Sequence, residues 1–133
     1  MAAEEPRGSP SPPAGPAGEA AGGGLCLVLC TCPDAESAGR IARALVERRL
    51  AACVNVLPGL RSVYRWQGRV EEAAEHLLLI KTREAALAAL QRAVVELHPY
   101  ELPEVVAVPI TGGLPAYLAW VREGVREGGG TEG

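Results

Sequence analysis

Two short stretches of this sequence carry the side chains best suited to chemistry. Cys30 and Cys32 are separated by one residue, and a second stretch runs from His98 through Pro99 to Tyr100 and two glutamates. Thiolates and imidazole are ligands that copper and zinc accept, and thiolate in particular selects Cu(I). These residue types therefore indicate a soft metal site formed by Cys30, Cys32 and His98. Cysteine is also among the most buried residue types, so a plain core position for both thiols stays open.

An enzymatic role for the same residues is the alternative to a metal site. A cysteine nucleophile activated by His98 needs the two side chains within hydrogen-bond reach and a third group that orients the imidazole. Glu101 and Glu104 could form a pair of carboxylates, although solvated loop charges are the commoner explanation. The sequence contains no glycine-rich phosphate loop, no zinc quartet and no HExxH element. We therefore expect a protein that is not an enzyme.

The first predicted strand and helix position the two cysteines. Leu25 to Cys30 is a continuous apolar run, typical of a central strand, and the alternation of side chains places Cys30 and Cys32 on one face. Asp34 is a suitable N-cap for a helix that continues to about Leu50. The cysteines are thus expected at the end of a strand, with a helix packed on the sheet.

A long β-hairpin is the most distinctive predicted element. Its first strand runs from Val54 to Trp66, and its second strand follows the turn and ends at Lys81. Gly68 supplies the positive φ of the tight turn between the two strands. The pair Pro58–Gly59 indicates a bulge. A first strand of this length spans roughly 43 Å at about 3.3 Å per residue. A domain of about 100 residues is only about 35 Å across, so the hairpin tip must overhang its own domain.

The overhanging hairpin needs cover, because a two-stranded ribbon is marginal alone in water. A second copy of the chain is the simplest cover, and a hairpin that curls back on its own domain is the alternative. Tyrosine and tryptophan are enriched at protein interfaces. We therefore predict that Tyr64, Trp66, Tyr117 and Trp120 form an interface between subunits; lining a ligand cleft is the other possibility for these aromatic residues.

The rest of the chain completes an α+β pattern. Its predicted elements are a helix over 83–97 capped by Thr82, a strand over 104–109 and a helix over 115–127. The resulting order is βαββαβ plus a C-terminal helix, which is the split βαβ, or ferredoxin-like, arrangement. Right-handed crossovers place both internal helices on one face of the sheet, so the other face is left to be covered.

Composition limits the remaining possibilities. The predicted domain covers 25–127, between tails at 1–24 and 128–133 that are rich in Gly, Ala, Pro, Ser and Glu and are predicted to be disordered. Acidic and basic residues balance within the domain, so nucleic acid is not an expected partner. No signal peptide or transmembrane run is evident, which favours a cytoplasmic protein with reduced thiols and no direct membrane insertion.

Between Leu25 and about Val125 the sequence resembles the CutA divalent-cation tolerance family. The resemblance rests on separated motifs that occur in the family's order: Thr31 to Asp34, Leu50 to Asn55, Ser62 to Gly68, Ile80 to Thr82, His98 to Glu101, and Tyr117 to Trp120. It implies a ferredoxin-like subunit that assembles into a tight homotrimer, with sheet edges and hairpins interlocked between subunits.

The resemblance also implies site residues and functions. Bacterial members are assigned a copper-binding cysteine that matches Cys30 and a pair of histidines, the second matching His98, whereas Leu97 stands at the first position. Animal relatives tend to have a cysteine at Cys32. Copper, as Cu(I) or Cu(II), is the implied metal and is not required for folding. An animal relative has been linked to the anchoring of acetylcholinesterase, which implies a trimeric scaffold as an alternative function. The family also resembles the PII signalling proteins in fold, which implies a small-ligand sensor as a further alternative.

Overall fold

A four-stranded antiparallel sheet forms the centre of the structure, a computed structural model that describes residues 24–127. In chain order the elements are β1 (Leu25–Cys32), α1 (Ala35–Glu47), β2 (Cys53–Trp66), β3 (Arg69–Arg83), a 3-10 turn (Glu84–Ala86), α2 (Leu87–Leu97), β4 (Val106–Ile110) and α3 (Pro115–Gly124). The strand order β2-β3-β1-β4 confirms the predicted ferredoxin-like α+β fold. The predicted tails lie outside the described residues, apart from Gly24.

One face of the sheet forms the hydrophobic core with α1 and α2. Every second residue of β1 is fully buried on this face, from Cys26 through Val28 and Cys30 to Cys32. The helices contribute fully buried aliphatic side chains, among them Ile41, Leu45, Leu90 and Val94. Burial of each such side chain stabilises the fold by about 1.5–3 kcal/mol. This packing fixes the position of the cysteines in β1.

The β2–β3 hairpin has the predicted turn and bulge. Gln67 and Gly68 both have positive φ, 52° and 79°, as a two-residue type I′ turn requires. The register shifts between Leu57 and Leu60, where Gly59 has a φ of 83°. Because β1 ends opposite His76, the hairpin beyond that point has no third strand beside it among residues 24–127. It extends roughly 20 Å past the sheet as a two-stranded ribbon.

The second face of the sheet is only partly covered. Helix α3 lies over one end, where the Lys81 ammonium is 5.7 Å from the centroid of the Tyr117 ring. Beyond α3 this face carries apolar side chains in adjacent register, including Leu29, Leu79 and Val106. Val106 is 49% exposed. The prediction of an uncovered apolar face therefore agrees with the monomer. None of the helices between residues 24 and 127 is long and apolar enough to span a membrane.

Helix α1 ends three residues earlier than predicted. Its last residue is Glu47, because Arg49 adopts a left-handed φ of 60°. The Arg49 N–H then donates to the Val46 carbonyl and the Leu50 N–H to the Leu45 carbonyl, at 3.0 and 2.9 Å. This is the hydrogen-bond pattern of a Schellman motif, which normally uses glycine at the left-handed position. An arginine there gives no sequence signal for the end of the helix.

The predicted cap of α2 was wrong. Thr82 lies inside β3 opposite Cys26, is fully buried, and its hydroxyl donates to the Leu50 carbonyl at 2.7 Å. Helix α2 begins only at Leu87, after the 3-10 turn and without a side-chain cap. The predicted end of β4 was also one residue short, since Pro109 pairs opposite Cys26 within the strand. Proline is tolerated there because β4 is an edge strand.

Replacement of Thr82 by valine should lower the free energy of unfolding by about 1–3 kcal/mol, because the buried Leu50 carbonyl loses its donor without any change in side-chain volume. Urea denaturation at one fixed protein concentration measures the loss. Thr111→Val is the matched control, since Thr111 is exposed and should change stability by less than about 0.5 kcal/mol. Equal effects of the two substitutions would contradict a stabilising role for the Thr82 hydroxyl.

Candidate metal centre

The candidate site lies where β1 ends. Cys30 and Cys32 have their side chains on the helix-covered face, and both residues are 0% exposed. The chain then turns into α1, whose N-cap Asp34 accepts hydrogen bonds from the Ser37 N–H at 2.8 Å and the Ser37 hydroxyl at 2.7 Å. These bonds hold the pKa of the Asp34 carboxyl below its ordinary value. The cap fixes the direction in which the chain leaves the cysteines.

His98 reaches the same place from the end of α2. Pro99 follows it, and His98 has the extended backbone that a residue before proline favours, φ −82° and ψ 140°. The Tyr100 N–H donates to Nδ1 at 3.1 Å, so Nε2 carries the proton and donates to the Thr31 carbonyl at 2.8 Å. His98 is 7% exposed. Both ring nitrogens are engaged by backbone groups.

The two stretches singled out in the sequence meet in the fold. The ligand atoms of Cys30, Cys32 and His98 all lie within 4.8 Å of one another, and all three residues are buried. Two thiols and one imidazole at this separation are a donor set that Cu(I) and Zn²⁺ accept. The residues present therefore fit a soft metal ion, although a bound ion would have to displace one of the hydrogen bonds that His98 makes.

The two thiols differ in how readily they lose a proton. A hydrogen bond with Cys32, followed by burial, raises the pKa of Cys30 above its ordinary value. The same hydrogen bond lowers the pKa of Cys32, because the Cys30 thiol stabilises a thiolate on its neighbour. A metal ion held by both sulfur atoms would require both thiols to lose their protons.

A buried carboxylate braces the segment that follows His98. Glu75 accepts hydrogen bonds from the Ser62 hydroxyl and the Tyr100 hydroxyl, each at 2.6 Å. Burial, with a further contribution from Glu75, raises the pKa of Tyr100 above its ordinary value. The Tyr100 ring packs on His98 with ring centroids 4.8 Å apart. Tyr100 thus connects the ribbon to the imidazole and fixes the ring's orientation.

The other predicted residues lie away from this cluster. Tyr64 and Trp66 are exposed in the ribbon, where Trp66 is 52% exposed. Tyr117 and Trp120 are exposed on α3, with their rings stacked at 5.5 Å. This exposure leaves all four available for the predicted interface.

The carboxylate pair and the cysteine nucleophile gain little support from the structure. Glu101 and Glu104 are exposed in the loop before β4, although the charge of Glu104 acts on Cys30. Cys30 and Cys32 are both 0% exposed, whereas a nucleophile has to be reached by its substrate.

Sequence reasoning missed two residues at this site. Glu75 and His76 stand side by side in β3, just before the apolar run that begins at Leu77. His76 pairs opposite Cys32, and its Nδ1 is buried without a hydrogen-bond partner within residues 24–127. Their polar character in a buried strand was the available signal. Only the register of β3 against β1 shows that His76 lies on the same face of the sheet as the cysteines.

The fold and the site together define a class of protein, namely a ferredoxin-like α+β subunit whose sheet buries two thiols and an imidazole side by side. The profile of the CutA1 divalent ion tolerance proteins matches residues 26–124. The chain therefore belongs to the CutA1 divalent ion tolerance protein family.

Individual relatives agree with this assignment. The chain is 57% identical over 97 residues to the divalent-cation tolerance protein CutA of Thermus thermophilus. The aligned region covers 73% of this chain and 94% of the relative. It is 45% identical over 123 residues to protein CutA of Mus musculus, and this alignment covers 92% of this chain and 68% of the relative. The crystal structure of CutA1 from Oryza sativa matches with a TM-score of 0.78 and 44% identity, over 80% of this chain and 99% of that one.

Proposed function

We propose that this CutA1-family protein binds copper as Cu(I) through Cys30, Cys32 and His98 and thereby contributes to tolerance of metal ions. The observation that carries the proposal is the buried cluster of their three ligand atoms, all within 4.8 Å of one another. Cu(I) is the ion that thiolates select. A reducing compartment such as the cytoplasm keeps both the thiols and Cu(I) in the required state.

Each residue has a distinct part in binding. Cys30 and Cys32 would hold the ion as two thiolates after loss of their protons. His98 would be the third ligand through Nδ1, which would give up the hydrogen bond that it accepts from the Tyr100 N–H. Its Nε2 would keep the Thr31 carbonyl as a partner, which orients the ring as second-shell hydrogen bonds do in other metal sites. Burial of the cluster excludes water from the bound ion.

Anaerobic titration with Cu(I) against a chromophoric chelator tests the proposal. We expect one Cu(I) per chain, with an affinity that weakens as the pH falls. Binding releases at least the proton of Cys30, so the affinity should decrease roughly tenfold for each pH unit and each proton released. A stoichiometry far below one ion per chain, or an affinity independent of pH, would contradict a thiolate site.

We also propose that the chain assembles as a homotrimer, which would support a scaffold function. The ribbon beyond β1 exposes Tyr64 and Trp66, and the second face of the sheet exposes Val106. Neighbouring copies that pack against the ribbon and against this face would bury both surfaces. Tyr117 and Trp120 on α3 border the same face and are proposed to join the interface.

A further inference from the structure

His76 stands beside the cysteine pair in the sheet. It occupies the position of β3 directly opposite Cys32 of β1, and the next core-facing pair along is Leu78 with Cys30. Side chains of directly opposed residues in an antiparallel pair point to the same face, with Cβ atoms about 4.5–5.5 Å apart. The His76 imidazole therefore starts from the same face as the two sulfur atoms and within a side-chain length of Cys32.

The two histidines near the cysteines differ in what their nitrogens can bind. Both ring nitrogens of His98 are already engaged, with Tyr100 and Thr31. In contrast, Nδ1 of His76 is buried and has no hydrogen-bond partner within residues 24–127. Buried polar atoms nearly always have a partner, and an unpaired one calls for an explanation such as an ion. His76 thus offers a free donor without the loss of any hydrogen bond.

The addition of His76 changes the chemistry of the donor set. Two thiolates and two imidazoles form the Cys₂His₂ set that holds Zn²⁺ tetrahedrally in structural sites. Cu(I), in contrast to Zn²⁺, is bound chiefly by soft ligands such as the two thiolates and needs fewer of them.

We propose that His76 is a fourth metal ligand, and that with Cys30, Cys32 and His98 it allows the site to hold Zn²⁺ as well as Cu(I). The cluster whose ligand atoms lie within 4.8 Å of one another comprises the other three residues, so the His76 side chain has to rotate toward them for its Nδ1 to join. This inference rests on the proposed metal-binding function and deepens it, since it assigns a divalent ion to the same cluster. Zn²⁺ would be held by Nδ1 of His76, a ring nitrogen of His98 and the sulfur atoms of Cys30 and Cys32, and the protons of the two thiols would pass to solvent.

The experiment compares wild type with His76→Gln for two metals under anaerobic conditions. Competition with a chromophoric chelator should show Zn²⁺ affinity lowered at least about 100-fold in His76→Gln, because a ligand itself is removed. Cu(I) affinity should fall by less than about tenfold, because both thiolates remain. Glu72→Gln is the matched control, since Glu72 lies on the same face of β3 farther along the ribbon and should leave both affinities unchanged.

Co²⁺ supplies a spectroscopic readout that a purely structural role for His76 would not change. The wild-type complex should show the absorption of tetrahedral cobalt with thiolate ligands, and His76→Gln should alter the ligand-field bands. Equal Zn²⁺ affinity and identical cobalt spectra for the two chains would overturn the role of His76. If wild type also binds Cu(I) tightly in that case, the copper site stands; if Zn²⁺ binds through His76 while Cu(I) does not bind, only the copper proposal fails.

Discussion

The double variant Cys30→Ser, Cys32→Ser should lose Cu(I) affinity by at least about 1,000-fold, the largest effect that we expect from changes in this chain. Serine replaces each soft sulfur by a hard oxygen that does not ionise at neutral pH, and both are direct ligands in the proposed site. Loss of a second-shell group alone costs about 10–100-fold in other metal sites. Anaerobic competition with a chromophoric Cu(I) chelator measures the change.

Cys26→Ser is the matched control for this experiment. Cys26 lies on the same strand and the same face as the other two cysteines and is similarly buried. Burial, followed by the charge of Glu84, raises its pKa to about 11, so it supplies no thiolate near neutral pH. The control thus has the same kind of buried hydroxyl without the loss of a ligand. Retention of Cu(I) affinity within tenfold in the double variant would place the metal elsewhere.

Val106→Asp should dissociate the proposed trimer into single chains. Light scattering of wild type should give about three times the 13.9 kDa chain mass, because the uncovered face and the ribbon are then buried between copies. The aspartate would place an unpaired charge in each copy of the interface, and a buried unpaired charge costs several kcal/mol. The variant should therefore scatter as a monomer at micromolar concentration.

Val95→Asp provides the comparison at a site outside the proposed interface. Val95 is 58% exposed on α2, so its exposed fraction is at least as large as that of Val106. An aspartate at Val95 stays in solvent and should leave the mass unchanged. A wild-type chain that is monomeric, or a Val106→Asp chain that keeps the full trimer mass, would refute assembly through this face.

The order of elements was predictable because hydrophobic patterning follows burial. Continuous apolar residues in β1 and β3 mark the central strands, and the helical period of α1 marks its packed face. The turn at Gly68 was predictable for a different reason, since few residues adopt positive φ without strain. These signals are local, so one sequence is enough to recognise them.

The ends of elements were less predictable because tertiary contacts set them. Thr82 has a side chain typical of a helix cap, yet its hydroxyl bonds to Leu50, more than 30 positions earlier in the chain. Arg49 ends α1 in a conformation that usually marks glycine, and its backbone carbonyl accepts a hydrogen bond from the Arg126 N–H. Neither hydrogen bond can be predicted from the residues that neighbour Thr82 or Arg49 in the sequence.

At the candidate site, too, local features were predictable from the sequence and tertiary contacts were not. Alternation alone placed Cys30 and Cys32 on one face, but only the packing of α2 brings His98 to them. His76 was missed because its relation to Cys32 depends on the register of β3 against β1, which a single sequence does not specify.

The central position of β1 also sets an order of events during synthesis and folding. β1 is made first, yet both of its neighbours, β3 and β4, come much later in the chain. Pairings between distant segments form slowly, whereas the β2–β3 hairpin needs only local contacts and can form early. Cys30 and Cys32 therefore stay accessible on the nascent chain until β3 and the His98 segment arrive. We expect metal ions and oxidants to reach these thiols most readily during this interval, before folding buries them.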